Sequence, residues 1–314
     1  MMKSKRNLGF IAMAVVIIIY GVSYIARDVI VKYMHPTVIV AFQFTIMTVL
    51  FTLYNLFKKM DMRIEKKDIL MVILSGLVGC TFFHVFTVMS VKYIGATVSS
   101  LLFGFAAVFS LMIDFVFFKR KKTKLSILAV VVSLVGVYIL MGINPSDLAE
   151  TNFMGYAICL LSIISWVVYC FLADKVSDKY EKTVVLNYQA VVGAVTTLPF
   201  LFLYPVALGD LVRPEVILDL VILGVFNSTF AYFLNIYAIK NIGVTFSNLF
   251  MNFLPIVTII VGVVLYGTMP TLNQIIGGVI IIASVLILNK DQKNLDQSAG
   301  EMRAETDLKE VDVE

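Results

Sequence analysis

The chain has 314 residues and a net charge of +4, and 60% of its residues are hydrophobic while only 15% are charged. This composition excludes an ordinary soluble domain. Apolar runs of about 20 residues, enough to cross a hydrocarbon core of about 30 Å, recur along the chain. The small positive charge comes from basic residues in short loops, so no nucleic-acid partner is expected.

The apolar runs predict an all-α membrane protein with ten transmembrane helices, each satisfying its own backbone hydrogen bonds. The predicted spans are about 8–26, 37–57, 69–91, 96–118, 125–142, 154–173, 183–204, 216–239, 243–265 and 271–289.

A segment pattern occurs twice: residues 76–105 and 224–253 superpose with an offset of 148 residues. The first spans of the two halves match with an offset of 146, which pairs Tyr20 with Trp166. Because the offset crosses five predicted spans, an odd number, the halves are expected to insert in opposite orientations. Inverted repeats are typical of transporters with a central site at their interface.

The repeats predict two five-helix units, residues 1–142 and 154–290. An outer linker at 143–153 joins them, and an acidic, disordered cytoplasmic tail follows at 291–314. Gly95 and Gly243 occupy short turns between adjacent spans, where a positive φ is expected.

The distribution of basic residues predicts the orientation. Of the 25 Lys and Arg residues, 21 fall on segments that are cytoplasmic if the N-terminus is inside, and four, Arg27, Lys32, Lys92 and Arg213, fall outside. We therefore expect a multi-pass plasma-membrane protein with both termini in the cytoplasm. The first apolar run also has the form of a signal peptide, but the nine further spans favour an uncleaved first helix. The three cysteines, Cys80, Cys159 and Cys170, lie within spans and form no metal-binding pattern.

The second half carries the segment Ile239-Lys240-Asn241-Ile242-Gly243, then Pro255, Thr271, Gln274 and Gly277. In these elements the chain resembles an EamA-type permease of the drug/metabolite transporter superfamily over residues 8–289. The resemblance implies ten transmembrane helices and the export or exchange of small metabolites. The chain departs from the family pattern at Ala107, opposite Pro255, and at Arg120 and Thr268, where an acidic residue is common. Gln43 stands where the family commonly has an arginine in the second helix.

Polar and aromatic side chains inside the spans are the candidate substrate-binding residues, because a polar group at bilayer depth is costly unless it faces a cavity or another helix. The candidates are Tyr20, Gln43, His84, Trp166, Tyr169, Gln189, Asn227, Tyr232, Asn248 and Asn252. The alternative for each is a hydrogen bond that only joins helices, and for His84 a proton-coupling role is a further alternative. Asp114 is expected near the inner surface, beside Lys119.

The predicted midplane offers amides and aromatics but no fixed charge, which favours a neutral or zwitterionic solute. The sequence therefore predicts a transporter of a small polar metabolite such as an amino acid, and the resemblance to EamA-type permeases implies export. Protons and a second copy of the chain are left open as further partners beside the solute and membrane lipids. A flippase for lipid or polyprenol-linked substrates is the alternative. No cofactor, metal site or enzymatic activity is expected, and without a phosphate-binding glycine loop ATP is not the direct energy source.

Overall fold

The computed structural model describes residues 2–118, 124–141, 152–177, 179–267, 269–284 and 286–287. Within these ranges the secondary structure is helical and contains no strand. The predicted tail, nearly all of the linker and the side chains of Asp114 and Asn252 lie outside the described part.

Fifteen α-helices make up the described part. They are α1 (Met2–Ile30), α2 (Pro36–Phe57), α3 (Lys66–Gly76), α4 (Phe83–Leu102), α5 (Phe105–Phe118), α6 (Lys124–Met141), α7 (Phe153–Ser177), α8 (Lys182–Thr197), α9 (Phe200–Leu203), α10 (Leu208–Leu211), α11 (Pro214–Val221), α12 (Tyr232–Ile242), α13 (Val244–Phe250), α14 (Leu254–Tyr266) and α15 (Leu272–Ser284).

Six apolar helical segments of the described part are long enough to cross a membrane. They are Arg6–Ile30, Pro36–Phe57, Lys66–Leu102, Phe153–Val176, Lys182–Leu203 and Pro214–Ile242. Two further apolar helices, Leu254–Leu265 and Leu272–Ser284, are shorter. The described part is thus all-helical and has the long apolar helices of a multi-pass membrane protein, while ten crossings and the inverted relation of the halves stay predictions.

A glycine with positive φ breaks the third long helix of each half. Gly95 has φ 76° and ψ 164°, and Gly243 has φ 84° and ψ 159°. Both pairs of angles lie in a region that is essentially open only to glycine, because a Cβ there collides with the backbone. The structure therefore confirms the predicted positive φ at both turns.

Each of these long helices also contains a π-helical stretch, at Leu77–Phe82 and at Ile222–Ala231. A π-helix has i→i+5 hydrogen bonds, and such stretches occur often at functional sites. The wider turn brings residues five apart onto one face. Asn227 and Tyr232, which a regular α-helix would align only roughly, thereby share a face.

The long helices pack in pairs across the two halves: α2 against α8, α1 against α12, and α4 against α7. Close contacts recur between these pairs with the offsets of the sequence repeat. A Cβ on Gly9 would lie 2.9 Å from Ile242 Cγ2, and a Cβ on Gly155 would lie 2.7 Å from Ile94 Cγ2.

The same correspondence holds between the second helix of one half and the third helix of the other. A Cβ on Gly76 would lie 3.0 Å from Val192 Cβ, and one on Gly224 would lie 2.8 Å from Ile46 Cβ. Small residues at these points let the helices approach closely, which is how membrane helices gain packing energy.

A cluster of charged side chains holds the α7–α8 connection against the start of α3. Lys179 Nζ lies 2.7 Å from Glu65 Oε1 and 2.6 Å from Asp68 Oδ2, and the Tyr180 hydroxyl donates to the same Asp68 oxygen at 2.6 Å. The hydrogen bonds to Asp68 and Glu65 raise the pKa of Lys179, and the hydrogen bond from Lys179 lowers the pKa of Glu65. These groups are solvent-exposed, so their ion pairs add little to the free energy of unfolding and serve mainly to hold the two segments together.

A second cluster holds the α1–α2 connection against the start of α11. The Tyr33 hydroxyl donates to Glu215 Oε1 at 3.2 Å, and the Arg213 guanidinium lies over the Tyr33 ring at 5.1 Å. Arg213 Nε also donates to Asp210 Oδ1 at 2.9 Å, which raises the pKa of Arg213. In both clusters the connection after the first helix of one half meets the start of the third long helix of the other half.

Candidate functional site

An aromatic cluster occupies the interior of the bundle, with Trp166 of α7 at its centre. Trp166 is fully buried, and its ring centroid lies 5.7 Å from Tyr20, 5.7 Å from Tyr169 and 6.0 Å from Tyr232. The Phe83 ring lies 4.8 Å away. Four predicted residues from α1, α7 and α12 thus come together with one residue, Phe83, that the sequence reasoning missed.

His84 connects this aromatic cluster to a set of buried hydrogen bonds. Its Nε2 lies 2.8 Å from the Tyr232 hydroxyl, and its Nδ1 lies 2.9 Å from Gln43 Nε2. Gln43 Nε2 also lies 2.5 Å from Ser228 Oγ, and Asn227 Nδ2 donates to that same hydroxyl oxygen at 3.4 Å. Side chains from α2, α4, α12 and the second π-helical stretch are therefore held in one network.

With the Gln43 amide nitrogen facing the ring, the hydrogen bonds are those of a neutral His84. The Tyr232 hydroxyl donates to the Gly79 carbonyl at 2.9 Å, so its oxygen accepts the proton of His84 Nε2. The other ring nitrogen, Nδ1, faces two donors, the Gln43 amide and the Arg27 guanidinium, whose Nη2 is 3.4 Å away. A proton on Nδ1 would have no acceptor there, because both neighbours are donors.

Two further predicted residues hydrogen-bond to the aromatic cluster. Trp166 Nε1 donates to Asn248 Oδ1 at 3.0 Å, which ties α7 to α13. The Tyr169 hydroxyl donates to Gln189 Oε1 at 3.4 Å, and Gln189 Nε2 donates to Ser75 Oγ at 2.7 Å. Gln43 and Gln189, predicted to be symmetry mates, thus both connect to the same cluster.

Arg27 corrects the sequence interpretation. It was counted among the outer basic residues, but its side chain is only 2% exposed and lies inside the bundle. Its Nη1 donates to Ser23 Oγ at 2.7 Å, and its guanidinium lies 5.4 Å from the Tyr24 ring centroid. The expectation of a centre without fixed charge was therefore wrong. An arginine near the end of a span is long enough to reach the interior, and only packing decides which way it points.

Arg27 also bears on the departure at Gln43. Gln43 stands where the resemblance implies an arginine in the second helix, and a cation from α1 reaches the same His84 nitrogen that Gln43 contacts.

A small cavity lies against Arg27 and the aromatic cluster. The cavity has room for about one water molecule. Its lining is Tyr20, Tyr24, Arg27, Phe83, Phe103, Asn227 and Leu254. Two buried polar atoms of this lining have no hydrogen-bond partner, the Tyr20 hydroxyl and Arg27 Nε. Two residues of the cavity lining therefore each carry a donor without a partner.

Nine of the ten predicted site residues are buried and belong to this connected set, and the tenth, Asn252, has a side chain outside the described part. Their role in binding stays a prediction. The sequence reasoning missed Arg27, Tyr24, Phe83, Phe103 and Ser228. For Arg27 a signal was available: it follows Tyr20, Ser23 and Tyr24 at helical spacing, on one face of α1.

The sequence matches the EamA-like transporter family over residues 7–142 and again over residues 153–290. The chain therefore belongs to the EamA-like transporter family, a family of membrane transporters.

Individual relatives and a solved structure are similar over most of the chain. An "Uncharacterized transporter" of Archaeoglobus fulgidus is 24% identical over 283 residues, covering 89% of this chain and 98% of the relative. The "Probable terminal-alkyne amino-acid exporter" of Streptantibioticus cattleyicolor is 24% identical over 230 residues, covering 73% and 75%. A crystal structure of another protein superposes with a TM-score of 0.67 at 17% identity, covering 93% of this chain and 99% of that one. This last likeness supports the fold alone.

Proposed function

We propose that this protein moves a small polar metabolite, an amino acid or a close analogue, outward across the plasma membrane. Two inverted five-helix repeats, residues 1–142 and 154–290, alternately open a shared central site to each side. Both termini are cytoplasmic in this proposal.

The observation that carries the proposal is that equivalent residues of the two repeats touch each other at the centre. His84 and Tyr232 are 148 positions apart and hydrogen-bonded at 2.8 Å. Tyr20 and Trp166, equivalent under the offset of 146, have ring centroids 5.7 Å apart. Equivalent residues can meet only near the axis that relates the repeats. This position supports the buried polar cluster as the central site of an alternating-access transporter.

The contacts away from the axis support the same relation. The paired glycine contacts at Gly9 and Gly155, and at Gly76 and Gly224, correspond to each other under the repeat offsets. If the repeats are inverted, the Lys179 and Arg213 clusters lie on opposite membrane faces. While its ion pairs are formed, each cluster would then close the path from its own side of the membrane to the central site. The cavity admits about one water molecule. The conformation is accordingly closed, and a metabolite enters when the helices separate.

Amino acids are favoured as substrates because the centre combines neutral amides, hydroxyls and aromatic rings, which suit a solute with several polar groups. The amino-acid exporter of S. cattleyicolor named above also supports this class.

Transport by reconstituted protein tests the function. Proteoliposomes would receive labelled amino acids, sugars and a dianionic sugar phosphate, each with and without a pH gradient. We expect uptake of at least one amino acid above that of empty liposomes, and the same uptake by the exposed variant Arg63→Gln. Transport of the sugar phosphate in preference to amino acids would contradict the proposal. Lipid scrambling without solute uptake would indicate the flippase instead.

Cysteine labelling tests the orientation. The three native cysteines are at most 1% exposed, so they give little background. We expect a cysteine at Lys92 to react with an impermeant maleimide in intact cells, and a cysteine at Lys58 to react only after permeabilisation. Labelling of the Lys58→Cys variant in intact cells would reverse the proposed topology.

A further inference from the structure

We propose that Arg27 is the binding residue for a carboxylate group of the transported solute, so that the substrates are amino acids or other solutes with a single carboxylate group, not sugars, polyols or cations. This inference rests on the proposed function and specifies the ligand chemistry of the same site.

The first argument is that Arg27 is a buried cation without a counter-ion. Its side chain is 2% exposed. The hydrogen-bond partners of its Nη atoms, Ser23 and His84, are both neutral. Among the described residues, no carboxylate makes an ion pair with it. An ionised side chain inside a membrane protein is expensive and usually pairs with an opposite charge or serves a substrate path. A carboxylate of the transported solute would supply the opposite charge that the described residues do not give Arg27.

The second argument is geometric. Arg27 Nε has no hydrogen-bond partner, and neither has the Tyr20 hydroxyl, although both side chains line the same cavity. A carboxylate bound at this cavity would supply acceptor oxygens for both of these donors. A guanidinium edge binds a carboxylate through two parallel hydrogen bonds, which a neutral amide or hydroxyl ligand cannot reproduce.

The third argument concerns charge. Arg27 is the one charged side chain among the described residues that line the cavity, and the adjacent His84 is held neutral by two donors on Nδ1. One fixed positive charge balances one carboxylate. A dianion would leave one negative charge unpaired in a low-dielectric interior, and a cationic solute would be repelled. The aromatic rings of Tyr24, Phe83 and Phe103 leave an apolar wall for the rest of the solute.

Trp166 allows a direct binding test, because it is the only tryptophan of the chain. Its ring lies 4.8 Å from the ring of Phe83 and 6.1 Å from the ring of Phe103, and both phenylalanines line the cavity. Protein in nanodiscs would be titrated with free alanine, leucine, threonine, methionine and phenylalanine, and with the primary amide of each. We expect a saturable fluorescence change with at least one free acid and binding at least tenfold weaker with its amide.

The substitution Arg27→Gln should weaken binding of that acid by about 10- to 100-fold, the loss expected for hydrogen bonds to a charged group. It should also bring acid and amide to within about twofold of each other. Arg27→Lys keeps the charge but loses the two-pronged geometry, so it should bind more weakly than wild type and still prefer the acid. Arg63→Gln, an exposed arginine variant, should match wild type.

Equal binding of acid and amide by the wild type would overturn the assignment, and this comparison needs no variant. An acid preference that survives in Arg27→Gln would also overturn it, because Arg27 would then have only a structural role. Uptake of sugars or polyols without carboxylates would overturn the inference while leaving a polar-metabolite transporter in place. If no solute of either panel is bound or transported by folded protein, both proposals fail.

Discussion

Replacing Gly243 with alanine is expected to destabilise the protein by about 1–3 kcal/mol, the usual cost of holding a residue with a Cβ in a glycine-only backbone region. Gly243 has φ 84° and ψ 159°, and a Cβ built on it meets no atom within 4 Å. The cost therefore comes from the backbone conformation alone and not from crowding. Gly243→Val should be worse, because branching at Cβ narrows the accessible backbone further. Thermal unfolding of purified protein measures both effects.

Two other glycines provide matched controls, since a Cβ on either also meets no atom within 4 Å. Gly209→Ala lies in α10, outside the positive-φ region, and should cost little. Gly267 has φ 64° and ψ 16°, a left-handed conformation that other residues can adopt, so Gly267→Ala should cost about 1 kcal/mol. A melting temperature of Gly243→Ala equal to that of Gly209→Ala would show that the turn makes no such demand.

Replacing His84 with leucine is expected to cost about 2–4 kcal/mol, because three buried side chains lose a hydrogen-bond partner at once. Those side chains are Gln43, Tyr232 and Arg27. Arg27 is the most affected, since a charged donor left unpaired inside the bundle bears the largest desolvation penalty. Denaturant titration of the purified variant measures the loss. His35→Leu, at the only other histidine of the chain, should cost about 1 kcal/mol, the value of the cap that His35 gives α2.

The substitution His84→Gln separates a structural from a proton-coupling role. Glutamine can present an acceptor to Gln43 and Arg27 and a donor to Tyr232, so the variant should retain most of the stability. Because His84 is held neutral by two donors, we expect the pH dependence of transport to match that of wild type. A flattened pH profile in a folded His84→Gln variant would show that His84 titrates during the cycle.

The sequence determined the class of protein because membrane insertion leaves its mark on composition. Apolar runs of about 20 residues are the physical requirement for a helix that crosses the bilayer. Gly95 and Gly243 were predictable for a similar reason, since a tight turn between helices demands a backbone conformation that only glycine adopts. Polar and aromatic residues inside the spans were recognisable in the sequence, and Tyr20, His84, Trp166 and Tyr232 among them are in contact in the structure.

Tertiary structure alone decided which side chains face each other across the helices. Arg27 reads in the sequence as a loop base near the end of a span. In the folded protein the Arg27 side chain contacts His84 of α4 and lines the buried cavity. The π-helical stretch at Ile222–Ala231 changes which residues of the helix share a face. No local sequence pattern predicted this stretch.

The tertiary structure also decided whether the centre of the bundle carries a charge. A count of charged residues within predicted spans assigned the centre no charge, because the count used chain position and not side-chain reach. The bundle buries one guanidinium beside a neutral histidine and leaves Arg27 Nε and the Tyr20 hydroxyl without partners. Both groups belong to α1, and only the packing of α1 against its neighbours buries them beside one cavity, so the tertiary structure, and not the sequence, brought them together.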